Sequence, residues 1–318
     1  MRGLELLSSC INCCDSCVVY IKVSKEMIRL TTASMPRVVP DLGRYEAEQR
    51  PHWARDDAAP GRFVSSSSIR DDIDLFYFAD LRESDVLRVN LHGAVRPTDT
   101  YPRFDRIGSS TGTGDSFVSF ADPTLALSPE LRLGWYLGAS GWDPIHSMVS
   151  VVQRALEVSG AKSLIFVGGS GGGFAALRTA LHFKDARVFC FNPQIDVSAY
   201  HPRAVENYVR IAHGGNAENA FEADPARTDM VHAYRDANSR PKVFYSQNIS
   251  DAFHIRNHYL PFKRSMSVIG ADGTSADGQI RFHLYDSERD GHAAPAPREF
   301  RSLFSQAVDW YRADSPIP

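Results

Sequence analysis

The sequence predicts an α/β protein, a mostly parallel sheet flanked by helices, with a helical insertion laid over part of it. Three features point there. From about residue 63 onward, short apolar runs alternate with segments of helical period. A glycine run at 168–172 joins one such strand directly to a helix. Between Pro193 and Pro241 the alternation lapses into amphipathic fragments rich in tyrosine and histidine, which marks a lid-like insertion at about 193–240.

Along the chain, residues 1–60 lack sustained periodicity and read as an N-terminal extension or an edge element, leaving 61–318 as the α/β domain. The four serines at 65–68 read as a loop. Strands are expected at 73–80 ("IDLFYFAD"), 85–94 ("DVLRVNLHGA"), 115–122 ("DSFVSFAD") and 131–138 ("LRLGWYLG"). Residues 144–158 space Ile145, Met148, Val149, Val152 and Leu156 as one helical face, with Asp143 as a cap and Gly160 as a stop. A strand at 162–169, a helix at 173–183 and a strand at 186–193 follow. Beyond the insertion come strands at 242–248 and 279–287 and an amphipathic helix at 297–311.

Composition excludes several partners. A net charge of −3 leaves no basic footprint for nucleic acid. No apolar run approaches the roughly 20 residues of a membrane span. Cys10, Cys13, Cys14 and Cys17 cluster near the start, but the second pair or spaced histidines of a structural zinc site are missing, so no metal is expected. "MRGLELL" is too short and too polar for a signal peptide, and with the clustered thiols this points to a cytoplasmic protein with a leader outside the fold.

The glycine run fits two phosphate-binding motifs poorly. A Walker loop needs Lys and then Ser or Thr where Phe174 and Ala175 stand, and a dinucleotide loop needs glycine where Phe174 stands. No cofactor is expected. Gly168-Gly169-Ser170-Gly171-Gly172 does fit G-x-S-x-G between strand and helix, where a serine nucleophile sits on a sharp turn with the helix N–H groups behind it. A glycine-rich turn with an incidental serine is the alternative. A nucleophilic serine needs a base and a carboxylate, and His292 and Asp251 each follow the end of a predicted strand, in the order Ser170, Asp251, His292. His254 and His258 compete as base, and Asp196, Asp286 and Asp290 as acid. "NLHGA" offers Gly93 and the Ala94 N–H, which with the Gly171 N–H would form an oxyanion hole. His92, His254, Tyr200 and Tyr208 are candidate substrate contacts, although aromatics at helical spacing also serve packing.

This order, the turn and the His-Gly loop resemble the α/β-hydrolase superfamily over roughly residues 70–312. More narrowly, "HGA…LGWYLG…IFVGGSGGGFAAL…NPQIDVSAYHPRAVENY…SQNISDAFH…DGHAAP" resembles bacterial hydrolase-like proteins of capsular polysaccharide and accessory secretion loci. That resemblance implies a small-molecule or glycan ester as substrate. A short-chain acyl ester would be cleaved through an acyl-enzyme, with transfer to a sugar hydroxyl as the alternative. A non-catalytic binding or assembly subunit on the same fold is the rival of another class.

Overall fold

The computed structural model describes residues 18–23, 26–31, 42–50, 59–70 and 72–313; the four clustered cysteines lie outside them. Strands β1 (Val18–Val23) and β2 (Glu26–Thr31) form an antiparallel hairpin. The main sheet has ten strands: β3 (Glu48–Gln49), β4 (Gly61–Arg70), β5 (Ile73–Leu81), β6 (Val86–Leu91), β7 (Ser116–Phe120), β8 (Ser163–Gly169), β9 (Arg187–Phe191), β10 (Lys242–Asn248), β11 (Gly273–Thr274) and β12 (Ile280–Tyr285). Their spatial order is β11-β12-β10-β9-β8-β6-β7-β5-β4-β3. The block from β12 to β7 is parallel throughout, whereas β5 pairs antiparallel with both β7 and β4. This is the mixed, mostly parallel α/β architecture that the sequence predicts.

The helices are α1 (Ile107–Thr111), α2 (Ile145–Ser159), α3 (Gly171–Ala180), α4 (Pro202–Ala212), α5 (Ala217–Phe221), α6 (Pro225–Thr228), α7 (Met230–Asp236), α8 (Ala252–His254), α9 (Leu260–Ser265) and α10 (Pro297–Ala313). A π turn over Ile255–Tyr259 links α8 to α9. The central strands are apolar on both faces because helices cover both. Along β8 and β9, Leu164, Phe166, Val188 and Cys190 join the core containing α2 and α3. The alternate residues Ile165, Val167, Phe189 and Phe191 pack with Phe300, Leu303 and Ala307 of α10. Burying each large apolar side chain contributes about 1.5–3 kcal/mol. Asp143 accepts a hydrogen bond from the Ile145 N–H at 3.0 Å, and Gly160 ends α2 at φ +66°. The Asp143 carboxylate also pairs with Arg178 of α3 and Arg227 of α6, tying the insertion to the body.

Two expectations are corrected. Residues 65–68 are not a loop: they lie in β4, with Ser65 opposite Tyr77 and Ser66 opposite Phe76. Pairing with the strongly strand-forming β5 overrides the weak preference of serine. Residues 131–138 are not a strand. They turn tightly, with Trp135 and Tyr136 at φ +53° and +57°, and both rings are buried. Of the two readings of the polar stretch before residue 61, the edge element describes Glu48 and Gln49, which pair with β4 at the end of the sheet, and Tyr45 packs against Phe78 and Phe104.

Candidate active site

The turn between β8 and α3 is dictated by close backbone approach. A Cβ on Gly168 would lie 2.1 Å from the Gly172 carbonyl oxygen, and one on Gly172 would lie 2.3 Å from that of Leu91. Only glycine fits there. Ser170 itself is held at φ +54°, ψ −126°, a conformation that costs a non-glycine residue of order 1–3 kcal/mol and persists because neighbours over-determine it. Its N–H donates to the Phe191 carbonyl, and its own carbonyl accepts from Gly173, Phe174 and Gln194.

Loops at the C-terminal ends of β10 and β12 bring the other two predicted groups to Ser170. His292 Nε2 lies 2.9 Å from Ser170 Oγ, and His292 Nδ1 lies 2.8 Å from Asp251 Oδ2. An ionised carboxylate only accepts, so Nδ1 carries the proton and Nε2 accepts the serine O–H. Burial alone would raise the Asp251 carboxyl, but hydrogen bonds from His254 and His292 hold it well below the usual carboxylate range. It is therefore an anion at neutral pH.

The His292 loop is pinned from below. Asn248 Nδ2 donates to the carbonyls of Arg289 and Gly291, and Asn192 Nδ2 donates to that of Ala293. Asn192 Oδ1 in turn accepts the Asn248 N–H at 2.7 Å. A fourth side chain reaches the serine. Gln194 Nε2 donates to Ser170 Oγ at 2.8 Å, while its Oε1 accepts from Trp135 Nε1 at 2.5 Å. The Trp135 bond fixes the amide so that its donor end faces the serine.

The other predicted residues divide. A Cβ on Gly93 would sit 3.3 Å from the Ser170 Cβ and 3.7 Å from the Gly171 nitrogen, so the His-Gly loop lies against the turn. The N–H groups of Ala94 and Gly171 have no acceptor among the described residues. Ala94 and Tyr200 line both a cavity of about 280 Å³ that holds Ser170 and His292, and a neighbouring groove of about 910 Å³ walled by α4.

His92, Tyr208 and His254 are not on these surfaces. His92 is buried, with Nδ1 2.7 Å from its neighbour's carbonyl and Nε2 accepting the Asp122 N–H, so it braces the loop. Tyr208 packs edge-on to Trp135 and contacts His213 Nε2 through its hydroxyl, behind the groove wall. His254 is fully buried; its ring stacks on that of His292 at 3.8 Å and 4°, and its Nδ1 donates to Asp251. His258 lies deeper, its Nδ1 accepting the Ile195 N–H. Of the rival acids, Asp286 and Asp290 are exposed, and Asp196 bonds Ser198.

The sequence reading missed Gln194, Asn192, Trp135 and Asn248. Asn192 and Gln194 had a usable signal, as polar residues directly beyond the C-terminal end of a buried parallel strand, where such sheets place their sites. Trp135 had none, because its position depends on the positive-φ turns. Asp251, His254 and His292 could also gather around a cation, but His254 Nδ1 and His292 Nδ1 both face Asp251 with their protons and are not free as ligands.

No protein-family model matches the chain, and no curated protein matches it by sequence. Solved structures do match in fold. The capsule O-acetyltransferase of Neisseria meningitidis serogroup A aligns with a TM-score of 0.53 at 14% identity, over 76% of this chain and 97% of that one. A glycosylation-associated protein complex from Streptococcus agalactiae aligns with a TM-score of 0.53 at 12% identity, over 80% of this chain and 46% of that one. A protein from Staphylococcus aureus described as a candidate esterase aligns with a TM-score of 0.51 at 12% identity, over 80% and 84% of the two chains. The chain has an α/β-hydrolase-like fold.

Proposed function

We propose that this chain is a serine acyl-ester hydrolase in which Ser170 is the nucleophile, His292 the general base and Asp251 the group that orients it. One observation carries the reading: an unbroken hydrogen-bond chain from a buried carboxylate through one imidazole to a serine held at positive φ, opening into a cavity. Ser170 Oγ attacks the acyl carbonyl while its proton passes to His292 Nε2. The tetrahedral oxyanion is received by the N–H groups of Gly171 and Ala94, joined by Gln194 Nε2 as the serine oxygen ceases to need it. Collapse expels the alcohol, which takes the proton from His292. Water, deprotonated by the same nitrogen, then releases the acyl group and restores the serine. Asp251 stabilises the imidazolium at both steps.

The 910 Å³ groove beside the nucleophile suits an ester whose alcohol part is large, and Tyr200 at the junction offers a ring face to a sugar. Acyl transfer is the second reading, favoured by the same groove: a sugar hydroxyl bound there would replace water in the last step. Two of the fold relatives are a capsule O-acetyltransferase and a glycosylation-associated complex, which agrees with a glycan ester in either reading.

The test is Ser170→Ala, read by turnover of short-chain acyl esters and by fluorophosphonate labelling. Both should vanish while the melting temperature is kept. Undiminished turnover in that variant removes the mechanism. Running the ester series with and without an oligosaccharide acceptor separates hydrolysis from transfer by the fate of the acyl group.

A further inference from the structure

Arg106 stands at the wall of the 280 Å³ cavity that contains Ser170 and His292. Its guanidinium lies 3.6 Å from the Phe300 ring centroid and 4.8 Å from that of Phe191. Phe191 in turn presses on the nucleophile turn, since a Cβ on Gly169 would fall 2.0 Å from its ring. The arginine is thus carried on an aromatic shelf in the wall of the cavity that holds the serine.

What distinguishes it is the lack of a counter-ion. Its guanidinium has no ion pair and no hydrogen-bond acceptor among the described residues. The neighbouring Arg103, which lines the same cavity, is neutralised by Asp99 and Asp105. Asp105 is the carboxylate whose field reaches Arg106, yet its Oδ1 is already bound by Arg103. Burial pulls the Arg106 guanidinium down to about 10, so it remains a full cation at neutral pH. The backbone there is also held at φ +63°. A half-buried cation with five N–H donors and no acceptor carries a desolvation cost that an incoming anion would offset. Two phenyl rings hold the fork in place, which reduces the entropy lost when it is engaged.

We propose that the ester acted on by this chain is anionic, bearing a carboxylate or phosphate oxyanion that Arg106 binds bidentately within the cavity beside Ser170. The inference rests on the ester-cleaving reading given above and adds the charge of the substrate. A planar guanidinium matches either anion, so the two sources are separated by experiment. Of the other charged groups lining the cavity, Arg103 and Asp105 are engaged with one another.

The decisive measurement compares kcat/KM for three acetyl esters of one hexose framework: the neutral hexose, the hexuronate and the hexose phosphate. Wild type should favour one or both charged esters by about 10- to 100-fold, the range of a charge-assisted hydrogen-bonded pair. Arg106→Met, which keeps the methylene stem on Phe300, should bring charged and neutral esters to the same kcat/KM, chiefly through KM. Arg106→Lys should retain part of the preference. Equal rates on all three esters in wild type overturn the proposal. So does an Arg106→Met variant that slows all three by one common factor, because that is a packing effect. Equilibrium binding of free hexuronate and hexose phosphate, followed by tryptophan fluorescence in wild type and Arg106→Met, decides the point without turnover. Binding lost in the variant supports the anion site even if no ester is cleaved, and binding absent or equal in both overturns it. Failure of the mechanism itself would show separately, as absence of fluorophosphonate labelling in wild type.

Discussion

Ser170 Oγ takes part in two hydrogen bonds of opposite sense, donating to His292 and accepting from Gln194. The second sets the first: with Gln194 Nε2 on one lone pair, the hydroxyl proton is left facing the imidazole. Gln194→Ala should lower kcat by about 10²- to 10³-fold with little change in KM, the usual cost of losing one oxyanion donor. Trp135→Phe removes the bond that orients the amide together with part of a buried ring, and the loss of kcat should be smaller than in Gln194→Ala. Steady-state kinetics on a neutral activated ester check both, and a Gln194→Ala enzyme at wild-type kcat would confine the amide to packing. His254 acts at the same scale without touching Ser170. Its ring is parallel to that of His292 and shares Asp251, so it fixes the plane of the His292 ring.

The loop that carries His292 has no regular structure of its own, and its position comes from the asparagines at the ends of two strands. Asn248 supports it with two side-chain hydrogen bonds and Asn192 with one. Removing the Asn248 amide takes a side-chain donor from the part-buried Arg289 and Gly291 carbonyls, so Asn248→Ala should destabilise the protein by about 1–3 kcal/mol. It should also reduce turnover further than that loss of folded protein explains; urea titration and kcat on the same preparation separate the two. At this scale much of the molecule was legible from the residues. Strands β5 to β10, helix α2 and the glycine turn announce themselves through apolar runs of the right length and period. Segment 131–138 did not, because alternation of apolar residues fits a buried turn as well as a strand once tertiary contacts hold two residues at positive φ. Ser65–Ser68 were lost for the converse reason, since their strand is imposed by the partner strand. The order Ser170, Asp251, His292 was legible from motif and strand ends, whereas Trp135 and Arg106 emerge only when distant loops are brought together.

For the whole molecule, a buried histidine cluster behind the site ties stability to pH. Burial, then the neighbouring His254 and His292, pulls His258 down to about 3, and burial likewise lowers His254. The groups facing them are Asp251, His201 and His292. An unfolded histidine titrates near 6.5, so between about pH 6.5 and 3 the unfolded chain binds more protons and stability falls as the solution is acidified. Each such residue costs at most about 1.4 kcal/mol per pH unit in that window. The depressed Asp251 acts at lower pH, its contribution being present above the unfolded carboxylate value and lost as pH falls through the folded one. Urea midpoints measured from pH 7.5 to 4 should therefore fall in wild type and fall less steeply in His258→Asn, whose amide oxygen can still accept the Ile195 N–H. Parallel slopes would mean that His258 is already charged in the folded protein. The long span between Ser170 and His292 has a further consequence, in the birth of the chain. His292 is 122 residues downstream of Ser170. At ribosomal rates of about 5–20 residues per second, roughly 6 to 24 s separate the synthesis of Ser170 from that of His292. Throughout that interval the emerging chain has the serine of the proposed triad without the histidine that would activate it.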